Sequence, residues 1–361
     1  MPFTTFMERC FVCILSLHFC AVIVVLTTLG SPRETQETCV GESICDPLIG
    51  VITTNMSKGP RHKRSQSIDE LLLEVVLGNT MMCREVSQVD VAFIVHSSTG
   101  YYNRRQRLRK IFQNRKTFEN YTVRHVFLLG QRNDVNIQNS INQEFNQHGD
   151  IVQGRFLDSY KNLTYKAVMG VKWISQNCRN VKYVIKIDDD VYTDLHNFFT
   201  HVYHPYLGDN RVLCWPVNMP YGIIRRKGKW KVPQFVFRHY QFFPVDYCSG
   251  FGVIIPGNIV PVLYKAVLTM PLLWIDDVFL YGMVRCFITG MHDLGDDLYK
   301  EENEDVSKCF KKPSTCKLIF AHLDKKQILQ VWKNRQKYLK SIRNFEAIKP
   351  SRENNRKVRG K

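Results

Sequence analysis

Beyond residue 30 the chain contains no Cys-x-x-Cys pair, which argues against a structural zinc site. It also lacks zinc-finger spacing, an RNP-like strand and a basic heptad region. The formal net charge is +17, yet much of that excess lies in the last stretch, in Lys333, Arg335, Lys337, Lys340, Arg343, Lys349, Arg352, Arg356, Lys357, Arg359 and Lys361. Acids are scarce there, Glu346 and Glu353 alone, so the charge reads as a basic tail over 334–361 and not as a nucleic-acid-binding face. Nucleic acid is therefore not an expected partner.

Charge of either sign is missing from Phe11 to Gly30, "FVCILSLHFCAVIVVLTTLG". At ~1.5 Å per residue about 20 residues cross a hydrocarbon layer of ~30 Å, so this is expected to be a transmembrane signal anchor behind a short tail over 1–10. A removed signal peptide is the alternative, although its apolar core usually spans only ~7 to 15 residues. The flanking charges do not set an orientation, because Glu8 offsets Arg9 and Arg33 faces Glu34 and Glu37.

Three sequons follow the span, at Asn55, Asn120 and Asn162, and suit a luminal location. Cys39, Cys45, Cys83, Cys178, Cys214, Cys248, Cys286, Cys309 and Cys316 lie beyond it and suit disulfides in an oxidising lumen; Cys309 and Cys316 are the expected pair. The composition over 31–85 reads as a stem or linker, within which Arg61 to Ser65, "RHKRS", matches a furin-like cleavage pattern or else a solvated basic turn. A chain of 361 residues that is 44% hydrophobic leaves room for a single catalytic domain, expected over 86–333.

The chemistry concentrates in "KYVIKIDDDVYTDL", Lys182 to Leu195. Tyr183, Val184, Ile185 and Ile187 read as a buried strand that stops at Asp188, Asp189 and Asp190. Open α/β sheets bind ligands at the carboxyl ends of their strands. Two carboxylates ~4 Å apart repel by roughly 1 kcal/mol in water and about 4 at an effective dielectric of 20, so the run requires a cation or raised pKa values. Oxygen ligation points to Mg²⁺ or Mn²⁺. A run of acids after a strand is otherwise a solvated turn, but a second acidic pair, Asp276 and Asp277, follows another apolar run, "MPLLWI".

Around these groups strands and helices alternate, which predicts a mainly parallel α/β sheet. Strands are expected at "VDVAFIVHS" and "RHVFLLG", and helices at "NRRQRLRKIF", at 138–147 and at "NLTYKAVMGVKWI". Ser67 and Glu70 form a capping-box pattern that predicts a short helix over "LLLEVVLG". Residues 228–255 read as an aromatic-rich β region in which Gly250 and Gly252 would let the backbone approach a ligand, or else form a bulge or turn. A helix is expected from Ile259 to Thr269, and Asp276 and Asp277 would open another.

Several of these stretches together resemble the β-1,3-glycosyltransferases of the galactosyltransferase and N-acetylglucosaminyltransferase type. "RRQRLRKIF", "GDIVQGRFLDSYKNLTYKA", "IKIDDDVY", "DYCSGFGVII", "IDDVF" and "LIFAHLDKKQILQVW" occur in the family's order across Val89 to Lys333. Departures include Phe112 where Trp is usual, Arg155, Ala167, Val253, Asp276 in place of Glu, and a Gly282 displaced by one residue. The resemblance implies a GT-A type fold, a Rossmann-like mixed sheet flanked by helices, in a Golgi enzyme with a single amino-terminal anchor and a luminal catalytic domain. It further implies a uridine-diphosphate (UDP) sugar donor, Mn²⁺ with Mg²⁺ as substitute, a glycan acceptor on glycoprotein or glycolipid, and inversion at the anomeric carbon. Galactose is the first expectation for the donor sugar and an N-acetylhexosamine the second.

By the same resemblance Asp277 is the expected catalytic base, and Asp190 and His322 the metal ligands. Asp188, Asp189, Arg105, Arg109, Lys166 and Lys186 are expected to support the donor, although Arg109 equally suits a structural pair with Asp158. Trp230, Gly250, Gly252 and Asp276 are expected at the acceptor side and glycine turn. A membrane-anchored binding protein that kept the fold without activity is the competing class; acids at both clusters argue against it.

Overall fold

A computed structural model describes residues 68, 72–113, 120–300, 303–323 and 325–348. The expected anchor, most of the expected stem and the Arg61–Arg64 pattern lie outside these residues. Among the described residues no helix is long and apolar enough to cross a membrane.

An eight-stranded sheet organises the domain, in the order β1-β4-β3-β2-β5-β10-β7-β11. Its strands are β1 (Val75–Leu77), β2 (Val89–His96), β3 (Val123–Gln131), β4 (Ile151–Leu157), β5 (Val181–Asp188), β7 (Val212–Cys214), β10 (Gly252–Pro256) and β11 (Met291–Asp293). The central four, β4, β3, β2 and β5, are parallel, whereas β1 and β10 add in the antiparallel sense, so the sheet is mixed. Parallel strands need both faces covered, and every residue of β2 is buried.

Side-chain alternation along the strands divides the core in two. Ala92, Ile94, Val126, Leu128 and Val184 face helices α3 (Leu163–Asn177) and α5 (Val260–Val267), while Val91, Phe93, Val95, Phe127 and Ile185 face helix α1 (Tyr102–Phe112) and the aromatic group Phe198, Phe199 and Tyr203. Helix α2 (Val135–His148) starts where the Asp134 side chain accepts from the backbone N–H groups of Asn136 and Ile137, and it ends at Gly149, whose φ of 64° is the left-handed conformation that closes many helices.

A smaller sheet joins β6 (Val191–Thr193), β12 (Tyr299–Lys300) and β13 (Phe320–His322), and a two-stranded ribbon pairs β8 (Pro216–Val217) with β9 (Tyr247–Cys248). Disulfides link Cys83 to Cys178, Cys214 to Cys248 and, as expected, Cys309 to Cys316; Cys286 is also disulfide-bonded.

Three expectations about local structure change. Val75–Leu77 is not helical: it forms β1 at the sheet edge, where pairing with β4 outweighs the local helical pattern. The region over 228–255 is mostly turns, interrupted by Pro233 and Pro244, with a lone bridge between Ile223 and Phe242 before β9 and β10. The ordered fold also passes both expected boundaries. Cys83 is tied to Cys178 ahead of residue 86, and helix α9 (Lys325–Ile348) runs beyond 333. Arg335, counted above with the basic tail, is buried, with its Nε 2.9 Å from Asp194 Oδ2 and Nη2 donating to Asn197 Oδ1.

Candidate active site

Because β2 and β5 run parallel, their carboxyl ends finish together, with His96 opposite Asp188 in register. The turn Asp188-Asp189-Asp190 then connects β5 to β6. Strand β10 starts with Gly252 opposite Ile187, which brings the Ser249-Gly250-Phe251 turn alongside. Asp276 and Asp277 open helix α6 (Asp276–Val278), which continues as a π-helical turn over Phe279–Val284.

The two acidic groups meet. His96 Nδ1 lies 3.9 Å from Asp188 Oδ1 and 3.7 Å from Asp276 Oδ2, so one buried ring touches a carboxylate of each cluster. Lys186, also buried, has its ammonium 3.1 Å from Asp188 Oδ1 and donates to the Gly250 carbonyl. A methyl group on Gly250 would fall 1.8 Å from Oδ1 of Asp277, so only glycine leaves room for that carboxylate.

Burial, then the neighbouring charge of Asp276, pushes the Asp277 carboxyl up to about 7, against the opposing pull of Lys186. Burial raises Asp276 as well. Burial also holds the His96 ring well below its ordinary value, helped by Lys186 and Lys166, which keeps it neutral near pH 7. Burial works against the charged form of Lys186, but Asp188, Asp277 and Asp276 outweigh it and keep the ammonium ionised.

The three consecutive acids have separate environments. Asp188 is open, its side chain 47% exposed. Asp189 is buried and does not reach the cleft as expected: it accepts from Ser97 Oγ at 2.7 Å and from Arg104 Nη1 at 2.7 Å. Asp190 is part exposed, takes the same Arg104 Nη1 at 2.8 Å on Oδ2, and lies 3.9 Å by that oxygen from Nε2 of His322.

Among the described residues no group of three or more His, Cys, Asp or Glu side chains is arranged to hold a metal ion. Asp190 and His322 nevertheless fit a shared divalent ion. Their 3.9 Å separation falls within the roughly 4.2 Å that spans an octahedral ion with ligands at ~2.1 Å, and both are accessible, at 34% and 47%. Ions of this class keep few protein ligands and take the rest from substrate phosphates and water.

The buried cations Arg105, Arg109, Lys166 and Lys186 are each engaged by a carboxylate. Arg105, fully buried, donates to both oxygens of Glu144 at 2.8 and 2.6 Å and to the Ser98 carbonyl. Arg109 forms a two-bond pair with Asp150, each bond 2.7 Å, so its carboxylate partner is not Asp158. Asp158 instead pairs with Lys166 at 2.7 Å and accepts from the Thr99 backbone at 3.0 Å, which fixes the turn after β2. Gly252 makes room for the Phe320 ring, against which a methyl group would fall at 2.7 Å. Trp230 is exposed and donates to Tyr160 OH at 2.5 Å.

Sequence reasoning missed His96, Ser97 and Arg104. The family resemblance singles out Arg105 and Arg109, but Arg104 looks like its basic neighbours until the fold brings in carboxylates 85 and 86 positions away. A cavity of about 500 Å³ bounded by Val123, His125, His148 and Asp150 opens at the amino end of β3, away from the acidic groups.

The galactosyltransferase family model matches residues 103–288, more than half of the chain. Beta-1,3-galactosyltransferase 1 of Mus musculus is 27% identical over 217 residues, covering 60% of this chain and 66% of that protein. UDP-GalNAc:beta-1,3-N-acetylgalactosaminyltransferase 1 of Mus spicilegus is 30% identical over 194 residues, covering 52% and 57%. The match thus spans 66% and 57% of the length of these two curated relatives, less than two thirds of each. Among solved structures, galactosyltransferase LgtC in complex with donor and acceptor sugar analogues superposes with a TM-score of 0.37 at 8% identity, covering 67% of this chain and 95% of that one, a likeness too slight to carry an argument. With the family model matching more than half of the chain, and with Asp188 to Asp190 and Asp276 to Asp277 inside the matched segment, the chain belongs to the galactosyltransferase family.

Proposed function

We propose that the protein is an inverting hexosyltransferase of GT-A type that moves a sugar, galactose first, from a UDP-sugar to a hydroxyl of a glycan acceptor and forms a β-1,3 linkage. The observation that carries this reading is the convergence of both acidic groups on His96 and Lys186. Family membership supports the reaction class, and the N-acetylgalactosaminyltransferase named among the relatives keeps an N-acetylhexosamine donor as the second reading.

In this mechanism Asp277 accepts the proton of the acceptor hydroxyl as that oxygen attacks the anomeric carbon from the face opposite the departing diphosphate. A carboxyl lifted to about 7 suits a base working near neutral pH, and such catalysis typically contributes ~10² to 10⁴ in rate. Gly250 sets the position of that carboxylate, and Lys186 ties Gly250 to Asp188. Asp188 is exposed enough to bind the donor ribose. Asp190 and His322 would hold Mn²⁺, or Mg²⁺ in its place, which supplies Lewis-acid stabilisation of the departing diphosphate. Arg104 and Ser97 hold Asp189 so that the acidic turn keeps its shape. A Golgi location with an amino-terminal anchor belongs to the same proposal and rests on the resemblance and on the apolar run at 11–30.

The test is a transfer and hydrolysis assay over a panel of UDP-sugars with Mn²⁺ and an array of glycan acceptors. Turnover of one UDP-hexose, lost in Asp277→Asn, is expected. No turnover of any UDP-sugar, with saccharide binding retained, would favour an inactive glycan-binding protein.

A further inference from the structure

Between Asn218 and Val245 the chain carries six Lys and Arg residues and no Asp or Glu. This excursion is built into the fold. Its ends are joined by the β8–β9 ribbon and the Cys214–Cys248 disulfide. Inside it, Arg226 donates to the carbonyls of Pro233, Val236 and Phe237 and holds the loop in one shape.

The remaining cations point outward. Arg225, Lys227, Lys229, Lys231 and Arg238 are exposed, and among the described residues none forms an ion pair with a carboxylate. Two of them frame an aromatic platform. Lys229 Nζ lies 4.2 Å from the Tyr160 ring centre and 5.3 Å from that of Trp230, and Arg225 Cζ lies 4.9 Å from Trp230. Tyr160 in turn sits edge-on to Trp274 at 6.2 Å, two residues before Asp276. The platform therefore borders the mouth of the acidic cleft on the Asp276–Asp277 side.

Exposed rings stack on the apolar faces of sugars, and unpaired cations beside them have charge left for an anion. A neutral glycan would use the rings and leave the cations idle. Under the proposed function the donor diphosphate is taken up by the ion that Asp190 and His322 would hold, and these two residues come from other elements. We infer that this platform recognises an acidic glycan acceptor, one that carries a carboxylate or sulfate on a sugar near the accepting hydroxyl. The inference rests on the acceptor-side reading of the proposed function and names its substrate class.

The test is binding to the full-length protein in detergent, in the presence of UDP and Mn²⁺, at 50 and 200 mM NaCl. Three probes are compared: an unsulfated chondroitin hexasaccharide, its carboxyl-reduced neutral counterpart, and that neutral oligosaccharide with one sulfate ester. At least one charged probe is expected to bind about tenfold or more tightly than the neutral one, with the advantage shrinking at higher salt. Which charged probe gains identifies carboxylate or sulfate as the group read. In the Arg225→Gln/Lys229→Gln double variant the advantage disappears while UDP binding, measured by calorimetry, stays unchanged. Equal binding of charged and neutral probes, a charge preference that survives the double variant, or tighter binding of a single-stranded oligonucleotide of equal charge would overturn the inference. Failure of UDP to bind the wild-type protein would instead count against the proposed function, since the saccharide comparison reads out without turnover.

Discussion

Gly250 and Asp277 are in contact to the point that no side chain fits between them: a methyl group on the glycine would stand 1.8 Å from the carboxylate oxygen. The turn after β9 and the start of α6 thus fix each other, although 27 positions separate them in the chain. Gly250→Ala should displace the carboxylate and lower kcat by roughly 10²-fold, the scale expected for ~1 Å misplacement of a reacting group. UDP affinity should change little. Steady-state kinetics together with calorimetry separate the two effects, and a kcat within twofold of wild type would show that Asp277 does not need this position.

The pH profile should follow Asp277. A base must be ionised to accept a proton, so kcat/KM should rise with pH, reach half its plateau at about 7 and stay level above it. The folded-state value lies above the ordinary carboxyl range. Its contribution to stability is therefore fully present below about 4 and is lost as pH rises through about 7. Asp277→Asn should consequently raise the urea midpoint at pH 8 while cutting turnover at least 10²-fold. A profile with no limb near 7 would point to another base.

Asp190, in the turn just before β6, and His322, at the end of β13, approach within 3.9 Å, and those two strands pair in the small sheet. Asp190→Ala and His322→Ala should each weaken UDP binding at least tenfold in the presence of Mn²⁺ and leave the much weaker binding measured in EDTA unchanged. Calorimetry with and without chelator makes the comparison. An equal loss in both conditions would mean that these side chains touch the nucleotide and not an ion.

Removing the carboxylate of Asp150 should be costly for folding. Burial opposes its charge, but Arg109 and His125 outweigh that and hold the carboxyl far below its ordinary value. Its stabilising effect is present above the ordinary carboxyl range and is lost as pH falls towards strong acid. Asp150→Ala, which leaves Arg109 with Glu144 alone, should destabilise the domain by about 3–5 kcal/mol. Urea unfolding at pH 7 checks this, and a change under 1 kcal/mol would show that the pair is replaceable.

The sequence by itself determined what depends on neighbours along the chain. β-Branched runs placed the central strands, helical spacing placed α1, α2 and α3, and strand-then-acid and apolar-then-acid junctions put Asp188, Asp190 and Asp277 at element ends. The proximity of Cys309 and Cys316 made their disulfide legible for the same reason. Ordered motifs carried the family as well. Only the tertiary structure decided which like residues do different work. Asp189 turned inward because Ser97 and Arg104 come to it from the end of β2 and the start of α1. Arg105 and Arg109 left the cleft because α2 and the start of β4 bring Glu144 and Asp150 against them. Val75–Leu77 became a strand because β4 offered an open edge. Hydrogen bonds and charge pairs act over about 3 Å in space regardless of separation in the chain, so periodicity locates a buried face but cannot name the partner that meets it.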